Sequence, residues 1–482
     1  MLHTTIVNTP WGVSAIFLPL AGAIVSFLWP RRSVPLGLLT AISIVGCVIG
    51  LGWQMSVLGA QRYAVGGWGA PLGIDLYVDG LSLLMLMVTA GLGLGISVYS
   101  SRYFERKPAT VFWPLWLFLW AALNALFLAA DIFNLYVTLE LLGLAAVALV
   151  ALAGGADALT SAMRYLLVSL LGSLFYLLGV ALLYHSFGSV DIAILAQRME
   201  PSAAVWAAVG LMSAGLLLKT ALFPLHFWLP PAHANAPAPV SALLSALVVK
   251  ASLYVLLRLW LEIFPVTVAL GQLVGLLGAA AVLWGGLQAL RQTRLKMLIA
   301  YSTVAQLGYM FLAFPLATLL GWRAAIYMLL SHAVAKTAMF MAAGNILYFG
   351  GHDRIADLDR VAKRLPLTIT AFGLAGVSIM GLPPSGGFIA KWLMLEAAID
   401  SGQWWWGIVL IVGGLLAGGY VFKVIGYAFT QSAAAHESRV VPATMEWTAL
   451  LLALVAIALG LVAPWLLALL EIGLPFGGES AG

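Results

Sequence analysis

Lys219-Thr-Ala-Leu-Phe-Pro224-Leu-His226-Phe-Trp-Leu-Pro230-Pro231 is the stretch that decides the fold. It sets a lysine, a histidine and three prolines at the end of an apolar run, 204–223, long enough to cross a bilayer. Proline lacks a backbone N–H and clashes with the preceding turn, so the helix must break there. Broken backbone at membrane depth survives only where protein covers it or where it lines a cavity. Met380-Gly381-Leu-Pro383-Pro384-Ser-Gly386-Gly387, just before Lys391, repeats the device five spans later. Two interrupted spans, one in each half, predict an internal repeat of five helices with inverted topology, the pattern that points to the site in secondary transporters. Two unrelated proline kinks are the plainer alternative.

Around these stretches the chain is apolar throughout. Of its 482 residues, 63% are apolar and 9% charged, against roughly 25% charged in a soluble domain, which excludes a water-soluble protein. Apolar windows fall near 12–29, 34–52, 80–99, 112–130, 132–152, 163–184, 204–223, 240–259, 268–289, 296–315, 323–348, 367–393, 406–430 and 446–470. The expected fold is therefore an all-α polytopic membrane protein of about fourteen spans. It divides into N-terminal helices (1–110), a first five-helix repeat (111–260), a second (261–431) and a C-terminal helix (432–482).

Arginines set the orientation, because cytoplasmic loops carry the Lys/Arg excess. Arg31, Arg32, Arg102, Arg106, Lys107, Arg164, Arg291, Arg294, Arg354, Arg360, Lys363, Arg364 and Arg439 fall on alternate loops, and the opposite loops hold only Arg62, Arg198, Arg258 and Arg323. Both termini are thus expected on the non-cytoplasmic side of the cell membrane. Only His3 precedes the first apolar stretch, with no basic leader, which reads as a mature start and not a secretory signal. The net charge of +5, scattered over short loops, argues against nucleic-acid binding. Cys47 is the single cysteine, so no disulfide framework or Cys/His metal cluster is expected.

The lysines carry the functional signal. Of eight, Lys107 and Lys363 lie in loops and Lys296 at a helix entrance, whereas Lys219, Lys250, Lys336, Lys391 and Lys423 fall inside apolar spans. A lysine at a helix centre costs about 2.5–3.5 kcal/mol on insertion scales. Burial disfavours the ammonium, so a buried lysine can release and retake a proton near neutrality, as arginine cannot. Glu140, in Asn134-Leu-Tyr-Val-Thr-Leu-Glu140-Leu-Leu-Gly, is the natural counter-charge of Lys219, as an electrostatic switch or as a structural ion pair. Lys250 is next in sequence, and His332 and Lys336, four apart, share one helical face. Lys391 mirrors Lys219, with Glu396 and Asp400 as partners or as an interfacial acidic rim.

Five further residues are accessory. His226 and His233 flank the first break at no zinc spacing, and no HExxH is present. Lys296 reads as a side chain that snorkels to the interface, Ser302 follows it in the same segment, and Lys423 has no acidic neighbour in sequence. Gly91-Leu-Gly93-Leu-Gly95 lacks a strand-turn-helix setting and reads as close helix packing. No phosphate loop, flavin motif or haem signature is found, so no cofactor or metal is expected on this chain. Redox or nucleotide chemistry would reside on other subunits.

At these residues the chain resembles the proton-conducting membrane subunits shared by respiratory complex I, membrane-bound hydrogenases and Mrp-type sodium/proton antiporters. The resemblance runs over roughly residues 75–430. It rests on Asp79-Gly-Leu-Ser82, the Glu140 segment, Lys219 to Pro230, Ala232-His233-Ala-Asn-Ala-Pro237-Ala-Pro-Val-Ser241-Ala-Leu-Leu, Leu295-Lys296-Met-Leu-Ile-Ala-Tyr-Ser302-Thr-Val-Ala-Gln-Leu-Gly308-Tyr309 and Gly381 to Lys391. It implies fourteen helices, two inverted repeats and a polar axis through the membrane centre. It also implies a switching pair at Glu140 and Lys219, proton carriers at Lys250, His332 and Lys336, and an exit role for Lys391. Pro231 departs from the family, whose members carry an acidic residue there. Lys391 in place of glutamate, with Lys250-Ala-Ser-Leu-Tyr-Val-Leu-Leu-Arg258, looks closest to the D subunit of Mrp antiporters.

Three functions follow as expectations. The first is a proton-translocating subunit of a multi-subunit Mrp-type cation/proton antiporter, exchanging protons for sodium beside other membrane subunits. The second is the matching pump subunit of a complex I-type NADH:quinone oxidoreductase or hydrogenase. The third is a structural membrane partner in an inorganic-carbon uptake assembly.

Overall fold

The computed structural model describes residues 10–432, 436–473 and 475; the reading of His3 and the start of the chain lies outside them. Helices α1 (Trp11–Leu28), α2 (Ser33–Leu58), α3 (Gly80–Tyr103), α4 (Arg106–Leu128), α5 (Ile132–Ala151) and α6 (Gly155–Phe187) precede the first break. α7 (Ala203–Thr220) and the short α8 (Leu229–Asn235) flank it. Next come α9 (Ala238–Glu262), α10 (Val268–Arg291), α11 (Leu295–Leu316) and α12 (Leu319–Gly350). The second break parts α13 (Pro366–Met380) from α14 (Gly386–Asp400), and α15 (Trp405–Phe429), α16 (Ala443–Ala458) and α17 (Ala463–Leu469) complete the bundle.

Among the described residues, twelve helices are long and apolar enough to span a membrane, and α16 with α17, bent by 82°, makes a thirteenth. The span expected at 367–393 is present as two helices of 15 residues each, too short singly, because Gly381-Leu-Pro-Pro-Ser stops one and Ser385 caps the next. A polytopic all-α membrane protein is what the structure shows. It adds one feature absent from the sequence reading, an antiparallel hairpin of β1 (Gln61–Ala64) and β2 (Asp75–Val78).

Helix starts follow the side chains that cap them. Asp79 and Ser82 form a reciprocal capping box on α3, Asp131 accepts from Phe133 N and Asn134 N on α5, and Ser202 caps α7. The centre of the bundle is α9 and α12, whose apolar windows are wholly buried, while α1 (22% buried) and α15 (33%) face outward. Small residues let pairs of helices close: Gly172 on α6 faces Gly215 on α7, and Gly278 on α10 faces Gly308 on α11, backbone to backbone.

Some loops of like arginine content meet at shared bridges. A bridge between Arg294 and Arg354 joins two arginine-bearing loops, and bridges Leu76–Ala129 and Asp131–Asp191 join three loops of the other end. Several of these basic residues, Arg164, Arg258 and Arg323 among them, lie within helices (α6, α9 and α12) and not in loops.

Both breaks end their first helix on a left-handed residue. Ala221 (φ 58°) terminates α7 and Gly381 (φ 81°) terminates α13. This conformation suits glycine and costs an ordinary residue about 1–2 kcal/mol, so the first break holds strain that the second avoids.

Candidate proton-relay axis

Glu140 on α5 and Lys219 on the last turn of α7 meet, Nζ to Oε1, at 3.6 Å. Two serines one turn apart on α6 knit them together: Ser169 Oγ accepts from Lys219 Nζ at 3.0 Å, and Ser173 donates to Glu140 Oε1. Gly143 on α5 lets Ser169 and Lys219 approach, since a Cβ there would strike the serine. A small cavity lies beside the pair, lined by Gly143, Tyr165, Ser169, Lys219, Trp228 and Ser252, with about 20 Å³ of room for water centres, enough for a single water. Thr220 Oγ1 donates to Ser252 Oγ at 2.9 Å, which links the first break to α9.

Two residues past a π-turn at Leu244–Val248, Lys250 is fully buried and donates to the Ser245 carbonyl. Ser245 Oγ in turn shares a hydrogen bond of 3.0 Å with Thr303 Oγ1. His332 interacts electrostatically with Lys250, Lys336 and His233, and both its ring nitrogens are buried and unpaired. Lys336 donates to Ser302 Oγ and, at 3.0 Å, to the Ile299 carbonyl. His233, also buried, stacks on Phe340 at 4.9 Å. The predicted histidine–lysine pair on α12 therefore sits at the centre of a polar group that also takes in Lys250, His233 and Ser302.

Gln306, one turn beyond Ser302 on α11, continues the line by donating to the Ile379 carbonyl at 3.2 Å. Lys391 Nζ uses the same carbonyl at 3.2 Å and Met380 O at 2.9 Å, both freed where α13 ends. Its ammonium lies 4.6 Å from the Tyr309 ring centroid, a cation–π contact. It also floors an apolar groove of about 560 Å³ walled by Phe388, Trp392 and Phe422.

The remaining candidates fall into place, with corrections. Lys296 does not snorkel. It is 2% exposed and donates to Ala234 O at 3.3 Å and to Ala236 O, because α8 folds over the start of α11 and offers its terminal carbonyls. Lys423 caps the end of α10, with 2.8 Å bonds to Leu290 O and Gln292 O. His226 stacks on Phe223 within the break, apart from the central group. Glu396 and Asp400 are exposed and make no ion pair among the described residues, so they form an acidic rim, not the partner of Lys391. Sequence reading missed Ser169, Ser173, Ser245, Thr303 and Gln306. The signal available was the i, i+4 spacing of Ser169 with Ser173 and of Ser302 with Gln306.

The family described as "NADH:quinone oxidoreductase/Mrp antiporter, TM" matches residues 129–417, and "NADH-Ubiquinone oxidoreductase (complex I), chain 5 N-terminus" matches residues 68–111. The chain belongs to this family. The matched region takes in every relay candidate up to Lys391. Among relatives, the "NADH-quinone oxidoreductase subunit N" of Desulforudis audaxviator (strain MP104C) is 37% identical over 86% of this chain and 85% of its own length. The D subunit of the Na(+)/H(+) antiporter of Bacillus subtilis (strain 168) is 30% identical over 86% of each. A chain of the solved Mrp complex from Dietzia sp. DQ12-45-1b superposes with a TM-score of 0.88 at 27% identity, over 96% of this chain and 97% of that one. The chain is thus an antiporter-like membrane subunit of the family that Mrp antiporters share with complex I.

Proposed function

We propose that this chain is the proton-translocating membrane subunit of a multi-subunit Mrp-type sodium/proton antiporter, working beside other membrane subunits. The observation that carries the reading is a series of exchangeable groups inside the bundle, Glu140–Lys219, Lys250, His332, Lys336 and Lys391, set on neighbouring helices. It runs between two helix breaks. An opposite charge at contact distance favours the ammonium, so with Glu140 close Lys219 keeps its proton, and when the pair parts the proton moves on toward Lys250. The two breaks, each in the fourth span of its half, support an inverted five-helix repeat over 111–260 and 261–431. The excess of arginines on alternate loops supports termini on the non-cytoplasmic side. Sodium as the exchanged ion rests on the antiporter relative and the Mrp complex neighbour.

A pump subunit of a redox complex is the second reading, favoured by the relative at 37% identity. Purification in mild detergent separates the two: membrane partners without redox centres support the antiporter, and iron–sulfur or flavin subunits support the pump. In vesicles of the assembled complex, Lys219→Ala and Glu140→Ala should each abolish coupled proton movement. Unimpaired transport in both would leave the charges a packing role, as in a structural partner.

A further inference from the structure

Beyond Lys250, α9 carries polar groups that the relay leaves unused. Lys250, Tyr254, Arg258 and Glu262 recur every fourth residue and so form a file along one face of the helix. The file starts in the buried relay and climbs about 18 Å by helix rise. It ends at the rim of a cavity of about 470 Å³ lined by Arg62, Tyr77, Arg258 and Glu262, at the arginine-poor end of the bundle. A conducting file here would let a proton on Lys250 slip straight out of the first half of the protein.

Its middle is built to stop that. The Tyr254 hydroxyl donates its only proton to the Phe127 carbonyl at 2.8 Å, and accepts from Arg258 Nε at 3.0 Å. Arg258 is 5% exposed. Its Nη1 lies 2.6 Å from Asp79 Oδ2 and 2.7 Å from Glu262 Oε1, and Nη2 donates to Asp79 Oδ1 at 2.7 Å. Asp79 is itself fully buried and fixed by the capping box of α3. Proton hopping needs each member of a chain to accept on one side and donate on the other. A guanidinium offers five donors and no acceptor, and it does not release a proton in proteins.

We infer that Arg258, pinned by Asp79 and Glu262, is a proton plug that closes the path between Lys250 and the arginine-poor end. A proton reaching Lys250 then leaves only toward His332 and Lys336. This rests on the proposed relay. Arg258 is a positioning residue, and what it sets is the direction of escape.

The test is passive proton leak in liposomes holding the assembled complex, under an imposed pH gradient and without a sodium gradient. Arg258→Gln replaces a donor-only group with one that both donates and accepts, and it frees two carboxylates to take protons. Leak should rise about tenfold or more, the factor that one lost charged hydrogen bond corresponds to. Adding Lys250→Met should return it to the parent level. Arg258→Lys keeps the charge but can release its proton, so an assembled Arg258→Lys complex should leak as well. A tight Arg258→Gln complex, a tight Arg258→Lys complex, or a leak that survives Lys250→Met would each overturn the plug. Failure of the relay itself shows separately, as normal coupled transport in Glu140→Ala and Lys219→Ala.

Discussion

Breaking the Glu140–Lys219 pair from either side should have unequal costs, and the inequality separates a switch from a brace. Lys219 has a side chain 8% exposed, against 21% for Glu140. Glu140→Leu leaves an ammonium in apolar surroundings with Ser169 Oγ at 3.0 Å as its hydrogen-bond acceptor. Removing one partner of a buried pair costs about 3–5 kcal/mol. Lys219→Met leaves a carboxylate that is one-fifth exposed and still takes the Ser173 hydroxyl, which lowers the cost to about 1–3 kcal/mol, the desolvation penalty of a single group. The double variant Glu140→Leu/Lys219→Met buries no unpaired charge and should recover most of the stability, since apolar replacement of a buried pair is often neutral. Thermal unfolding in detergent should therefore rank Glu140→Leu lowest, Lys219→Met above it and the double variant close to the parent. Proton transport should be absent in all three. A double variant that is stable and still transports would refute the switch, and a Glu140→Leu variant as stable as the parent would refute the coupling drawn from the geometry.

Two other outcomes are expected. Gly381→Ala places a Cβ 2.6 Å from Lys391 Cδ at φ 81°, so it should lower thermal stability by about 1–2 kcal/mol and slow transport about tenfold, the factor set by 1.4 kcal/mol; an unchanged rate would show that Lys391 does not act from its place at the break. At the arginine-rich end, outside the spans, the His436 imidazole is held below its ordinary value, first by burial and then by His352 and Arg364, against the opposing pull of Asp359 and Asp357. The neutral ring is the folded form, so this contribution is complete above about pH 6.5 and is lost as the pH falls below it. Hydrogen exchange in residues 351–365 should speed up between roughly pH 6.5 and 5 in the parent and stay flat in His436→Gln; identical profiles would sink the assignment.

The breaks were legible because proline and glycine act locally: Pro224 and Pro383 lie just past the last turns of α7 and α13, Gly381 ends α13, and Pro230 opens α8, where a missing N–H costs nothing. Lys219, Lys250, Lys336 and Lys391 were legible for a different reason, the cost of a charge in an apolar window, which needs no knowledge of partners. Partners were harder. Glu140 could be paired with Lys219 because few carboxylates compete in the first half, but Asp79 meets Arg258 across 179 positions, and no local pattern announces that. Lys296 was misjudged since its place at a helix entrance looks interfacial until α8 covers it. The π-turn before Lys250 left no mark in the sequence, because it is set by how α9 packs and not by residue type. The hairpin at 61–78 was passed over for its shortness and mixed polarity.

Apart from Lys219, the lysines of the spans, with Lys296, anchor on main-chain oxygens: Ser245, Ala234 and Ala236, Ile299, Ile379 and Met380, Leu290 and Gln292. No codon writes a carbonyl. A side-chain acceptor can be lost to a single base change, whereas these acceptors persist under any substitution that preserves the course of the backbone. Most residues around the axis are consequently free to drift while the lysines keep their footing, and the exceptions, Lys219 with its carboxylate and serine and Lys336 with the Ser302 hydroxyl, are where mutation has leverage over the path.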